Sequence, residues 1–167
     1  MKVYLATDHT GLEIKERIKS DLTQKGYEIK DCGAYEYNKD DDYPDFISKA
    51  AENVSKNPQD TGIIFGGSGQ GEAIVANKFK GVRCALFYTP LAPVHAADIT
   101  GRMSSDPFEM LRLTRAHNDA NMLSLGVRFL REEDAIKAVD IFLSEPFNAI
   151  ERHVRRVEKI KEVEKNV

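Results

Sequence analysis

The chain has no tryptophan, only two cysteines, and no strong excess of either charge. Cys32 and Cys84 lack the paired spacing of a zinc site and the numbers of a disulfide framework. A reduced, cytoplasmic compartment is the expectation. A net charge of -3 over 167 residues offers no basic field to a nucleic-acid backbone. No apolar run approaches the roughly 20 residues of a membrane span. The opening Met1-Lys-Val-Tyr-Leu-Ala-Thr7 reads as a short buried strand, not a leader. Internal repeats and low-complexity tracts are also missing. What remains, 41% apolar and 31% charged residues, describes one globular domain with its own core over residues 1–167.

Strand-like and helix-like patterns alternate along that domain. Strands are predicted at Val3–Thr7, Tyr27–Cys32, Gly62–Phe65, Arg83–Tyr88 and Met122–Val127. Helices are predicted from Leu12 to Lys25, from Pro44 to about Asn57, after Gly71 to about Lys78, near Glu109–His117, over Arg131–Leu143 and over about 150–165. Continuous apolar strands alternating with helices imply a five-stranded parallel sheet covered on both faces, a doubly wound α/β/α sandwich. Ligands in such sheets sit at the carboxyl ends of the strands. The last helix carries Ile150, Val154, Val157, Ile160 and Val163 as one apolar stripe, suited to its own domain or to a partner subunit.

The most informative segment runs from Thr61 through Gly66-Gly-Ser-Gly-Gln-Gly-Glu72 into a helical pattern. A glycine-rich turn feeding a helix presents backbone N–H groups to an anion. A dinucleotide fingerprint needs glycines at relative positions one, three and six, which no register here supplies. A Walker loop would need Gly-Lys-Ser/Thr, and Lys78 lies too far along the helix. Gly66-Gly-Ser68-Gly-Gln70 lacks the last glycine of a nucleophile elbow, so Ser68 is a hydrogen-bond donor, not a nucleophile. An anion cradle at Gly67, Ser68, Gly69, Gln70 and Gly71 survives, with Glu72 beside it as a possible base.

Three further groups have both a plain and a functional meaning. Asp8-His9 directly follows a buried strand and is either a helix cap or a pair that handles sugar hydroxyls. His117-Asn118 ends a helical pattern, where histidine is often only a dipole contact. Arg152 and Arg156 share one helix face, either as a solvated basic surface or as a guanidinium clamp for phosphate, to which Arg128 could add.

Taken together, these positions resemble the type B ribose-5-phosphate isomerase family, which includes galactose-6-phosphate isomerase subunits. The likeness is carried by Thr7-Asp-His-Thr-Gly-Leu-Glu-Ile-Lys15, Asp42-Tyr-Pro-Asp45, Gly66 to Lys78, Gly81-Val-Arg83, Arg115-Ala-His-Asn-Asp-Ala-Asn121, Leu125-Gly-Val-Arg128 and Arg152-His-Val-Arg-Arg156. The resemblance implies a Rossmann-like subunit, a homodimer (or tetramer) with active sites drawn from both chains, and no metal or organic cofactor. It implies interconversion of ribose 5-phosphate and ribulose 5-phosphate in the pentose phosphate pathway. Asp8, His9 and Asn118 would then bind the sugar, and Gly67–Gly71 would form the anion hole. His117 would open the ring, and Arg128, Arg152 and Arg156 would contact the substrate or its phosphate. Many members carry a catalytic cysteine where this chain has Gly66; a second group pairs glycine there with a glutamate base, as at Glu72.

Two alternatives stay open. One is the same chemistry on a six-carbon sugar phosphate such as allose or galactose 6-phosphate; the other is a non-catalytic phosphosugar-binding module. The main departure from the family is an insertion at about 89–113, expected to be either an inert surface loop or a lid or specificity wall.

Overall fold

The computed structural model describes residues 1–165. Five strands form one sheet: β1 (Lys2–Thr7), β2 (Glu28–Asp31), β3 (Thr61–Gly66), β4 (Cys84–Phe87) and β5 (Met122–Gly126). Their order is β2-β1-β3-β5-β4 and every pairing is parallel. Six helices cover it: α1 (Leu12–Gln24), α2 (Pro44–Lys56), α3 (Gln70–Ala76), α4 (Glu109–Asn118), α5 (Glu132–Ser144) and α6 (Glu151–Glu164). The predicted α/β sandwich and its element order hold. The ends move by a residue or two, and α3 starts earlier and stops sooner than the pattern suggested.

Alternation along the strands divides the core in two, because successive side chains point to opposite faces. Val3, Leu5, Ile63, Phe65, Leu123 and Leu125 face one side and pack with α1, α4 and α5. Tyr4, Ala6, Ile64 and Met122 face the other and meet Ile47, Ala51 and Val54 of α2 and Ala76 of α3. Strands β3 and β5 are buried along their whole length, as a sheet covered on both faces requires.

One charge lies deep in this frame. Lys15 on α1 is fully buried, and its ammonium donates to both Asp31 oxygens (2.7 and 2.8 Å) and to the Ala34 carbonyl (2.7 Å). That cluster ties α1 to the end of β2 and fixes the segment beside β1. The Thr7 N–H donates to Gly33 and the Ala34 N–H to Thr7, which carries the same segment past the carboxyl end of β1.

Helix α6 behaves differently from a helix docked on its own domain. His153 and Val157 are buried, yet Ile150, Val154, Ile160 and Val163 of the predicted stripe stay 38–64% exposed. The expected insertion is an irregular run over 88–108; the remainder of 89–113 is the first turn of α4.

Candidate active site

Strand β3 delivers the glycine turn to the carboxyl edge of the sheet. Gly69 takes φ +73°, the left-handed region open to glycine, and heads α3. The buried Ser124 hydroxyl of β5 donates to the Gly69 carbonyl at 2.6 Å, and the Arg128 N–H donates to the Gly67 carbonyl at 3.1 Å. The turn is therefore held from one side by β5. Gln70 is exposed, and its N–H reaches Ser68 Oγ at 3.4 Å. The N–H groups of Ser68 and Gly71 find no acceptor among the described residues, which leaves them for a ligand.

Glu72 stands in the first turn of α3 and is 5% exposed. Its carboxylate lies against Gly66: a Cβ on Gly66 would sit 1.9 Å from Oε1 and 2.5 Å from Oε2. Gly66 has no unusual backbone angle, so glycine is required there for space. Burial pushes the Glu72 carboxyl above the ordinary range; its own N–H pulls it back, and the nearby negative Asp8 adds to the rise. A raised carboxylate is a stronger proton acceptor, the property a carbon-acid base needs.

Asp8 and His9 follow β1 at the same edge. Asp8 caps the short 3-10 turn His9–Gly11, accepting from the Thr10 N–H (2.9 Å) and hydroxyl (2.5 Å). The helix-cap reading of Asp8 holds. His9 Nδ1 meets Asp41 Oδ1 at 2.5 Å, and Asp41 also accepts the His9 N–H at 3.1 Å. Asp41 thereby fixes the ring, leaving Nε2 for other partners. Its second oxygen is buried and finds no hydrogen-bond donor among the described residues. Asp8, His9 and Asp41 offer atoms within 4.8 Å of one another, a donor set of the kind that can hold a cation. The direct His9–Asp41 contact already uses one such pair as a hydrogen bond. Arg128 is exposed, and its guanidinium lies over Gly67.

The other predicted residues lie elsewhere. Helix α4 runs back along the sheet, so His117 and Asn118 come out beside the amino ends of β4 and β5, where Arg83 Nε donates to the Asn118 carbonyl at 3.0 Å. Strand β5 has five residues; at about 3.3 Å each, the two poles are at least about 15 Å apart. His117 shares a cleft with Arg152, His153 and Arg156 of α6, and its ring lies against His153, tilted by 38° with 4.2 Å between centroids. Burial lowers the His117 pKa, the neighbouring His153, Arg102 and Arg152 lower it further, and Asp98 opposes them. Arg155 is spent on Glu151 at 3.0 Å, whereas Arg152 and Arg156 have no acidic partner among the described residues. Asn118 is exposed and lines a different cleft, against the β4 edge and α6.

The structure thus divides the predicted site in two. Asp8, His9, Gly67–Gly71, Glu72 and Arg128 lie at one pole, and His117, Arg152 and Arg156 lie at the other. Three side chains at these poles were not singled out from sequence. Asp41 lies in the polar stretch 38–42, outside every predicted element. Tyr43 sat in the Asp42-Tyr-Pro-Asp45 motif, and its ring leaves no room for a Cβ on Gly71. His153 lay between the two arginines.

Known proteins share this fold. The family model described as Ribose/Galactose Isomerase matches residues 3–99 and 96–160, two pieces that meet inside the insertion. Ribose-5-phosphate isomerase B of Mycobacterium tuberculosis is 39% identical over 165 residues, which cover 99% of this chain and 91% of that protein. Among solved structures, ribose-5-phosphate isomerase B from Mycoplasma genitalium with bound ribulose-5-phosphate is 36% identical. It superposes with a TM-score of 0.85 over 99% of this chain and 97% of its own. The Clostridium thermocellum ribose-5-phosphate isomerase B is 37% identical with a TM-score of 0.83 over 99% of both chains. By sequence and fold, the chain belongs to the ribose/galactose isomerase family.

Proposed function

We propose that this protein is an aldose–ketose isomerase that interconverts ribose 5-phosphate and ribulose 5-phosphate. The observation that carries the reading is Glu72: a buried carboxylate with a raised pKa, set against Gly66 and beside unpaired N–H groups of the glycine turn. His117 assists opening of the furanose to the free aldehyde. Glu72 then takes the proton from C2, and the glycine-turn N–H groups hold the enediolate. The same carboxylic acid returns the proton to C1, giving the ketose. Arg152 and Arg156 bind the phosphate through paired donors.

The protein acts as a homodimer whose sites use both chains. Glu72 and His117 lie at opposite ends of one sheet, and a second copy can bring the His117 pole onto the Glu72 pole. The exposed stripe of α6 suits that contact. The position is cytoplasmic, in keeping with two free cysteines; among the described residues no helix is long and apolar enough to cross a membrane.

Proton exchange at C2 tests the reading. Ribose 5-phosphate incubated with the protein in deuterated water should gain deuterium as it isomerises. Glu72→Gln should lose exchange and turnover together, by at least about 100-fold, with little change in substrate affinity. Exchange persisting in that variant would remove Glu72 from the role.

A further inference from the structure

The inserted run 88–108 is not a loose surface loop. It leaves the carboxyl end of β4, turns at residues 98–101, and returns to the start of α4. Its neck is closed by the Leu91 N–H donating to the Pro107 carbonyl at 2.8 Å. Near the tip, the Ala97 N–H donates to the Arg102 carbonyl at 2.7 Å. Asp98 accepts from the Thr100 N–H (2.8 Å), the Thr100 hydroxyl (2.6 Å) and Arg102 Nε (2.9 Å). Arg102 also pairs with Glu109, which is buried at the head of α4 and takes a further bond from Ser104 at 2.8 Å. The tip is therefore pinned to the rigid helix that carries His117.

That tip forms one side of the cleft that holds His117, Arg152 and Arg156, a space of about 280 Å³. Asp98 would repel a phosphate if it were free. Both of its oxygens are engaged by Thr100 and Arg102, so the carboxylate builds the turn and Arg102 offsets part of its charge. Ile99 is 78% exposed at this same rim, an apolar side chain in the cleft that holds Arg152 and Arg156. A pinned tip of this kind cannot act as a swinging lid without breaking the Arg102–Glu109 pair. It is suited to a fixed steric boundary.

We infer that the tip Asp98–Thr100 is a wall of the substrate site that limits the length of the phosphosugar the enzyme accepts. The inference rests on the isomerase reading above and deepens it. With the phosphate held by Arg152 and Arg156, the wall reduces the room for the extra carbon of a hexose 6-phosphate. In a close-fitting site, one carbon unit is commonly discriminated by about 10- to 200-fold.

The test reads binding, so that it does not depend on catalysis. In the Glu72→Gln background, dissociation constants for ribose 5-phosphate and allose 6-phosphate are measured by calorimetry. The comparison is between the full loop and a variant with residues 94–105 replaced by Gly-Ser-Gly, which keeps the neck. Shortening should cut the preference for the pentose phosphate by at least about 10-fold while light scattering still reports a dimer. Arg102→Ala, which only unpins the tip, should move the ratio the same way and serves where the shortened chain does not fold. A folded variant of either kind whose ratio stays within about twofold of the full loop overturns the wall. Failure of the isomerase reading shows separately, as a wild-type protein that binds sugar phosphates and does not isomerise them. Binding of neither sugar phosphate overturns both.

Discussion

Replacing Gly66 by alanine adds one methyl group at the point where the chain has least room for it. The added carbon would lie 1.9 Å from Glu72 Oε1, 2.0 Å from its carboxyl carbon and 2.5 Å from Oε2. Ordinary contact begins near 3.4 Å, so the carboxylate must retreat by about 1.5 Å or leave its rotamer. A displacement of about 1 Å in a reacting group costs on the order of 100-fold in rate, equivalent to roughly 2.7 kcal/mol of transition-state stabilisation. Overpacking at a buried position adds about 1–3 kcal/mol of destabilisation. Gly66→Ala should therefore fold with a lowered Tm and lose at least about 100-fold in kcat with KM held within a few-fold. Steady-state kinetics of ribose 5-phosphate isomerisation, with thermal melts on the same samples, provide the measurement. A folded alanine variant with near-normal kcat would refute the claim that Gly66 is glycine to make space for the base.

Arg152→Ala should raise KM by about 10- to 100-fold through loss of charge-assisted phosphate bonds, whereas Arg155→Ala, already paired with Glu151, should stay within about twofold. Equal effects would remove the distinction between clamp and surface. Burial opposes ionisation of Asp31, yet Lys15, Lys19 and the Gly33 N–H outweigh it and hold its carboxyl below the ordinary range. A carboxyl depressed on folding contributes stability that is fully present above its unfolded value near 4 and lost as pH falls through the lower folded value. Asp31→Ala should cost about 3 kcal/mol at neutral pH by leaving Lys15 buried with weaker partners. It should also flatten that acid dependence, as denaturant melts between pH 7 and pH 3 can show.

Much of the fold was readable because its signals are local. Apolar runs such as Gly62–Phe65 and stops such as Gly26 mark strands and helix ends directly, and parallel order follows from their alternation. The glycine turn and Glu72 were readable for the same reason, being contiguous. What the contiguous motifs do not show is the pole of the sheet at which each element ends. His117 precedes β5 by only a few residues, yet α4 runs antiparallel to the strands, so its end reaches the pole away from Glu72. Asp41 escaped notice because its role depends on contact with His9, 32 positions away. The insertion left two readings open because nothing in its composition reveals that Arg102 fastens it to Glu109 or that its tip stands beside His117. The shape of the α6 stripe was legible; that its own domain leaves most of it uncovered was not.

The central claim is that Glu72 of one chain works with His117 of the other. Glu72→Gln and His117→Asn homodimers should each be nearly inactive. Unfolded together and refolded as a mixture, they form some dimers with one chain of each kind, in which one site regains both residues. Random pairing should then restore about a quarter of wild-type turnover. A mixture that forms mixed dimers and remains as inactive as its parents would contradict the account.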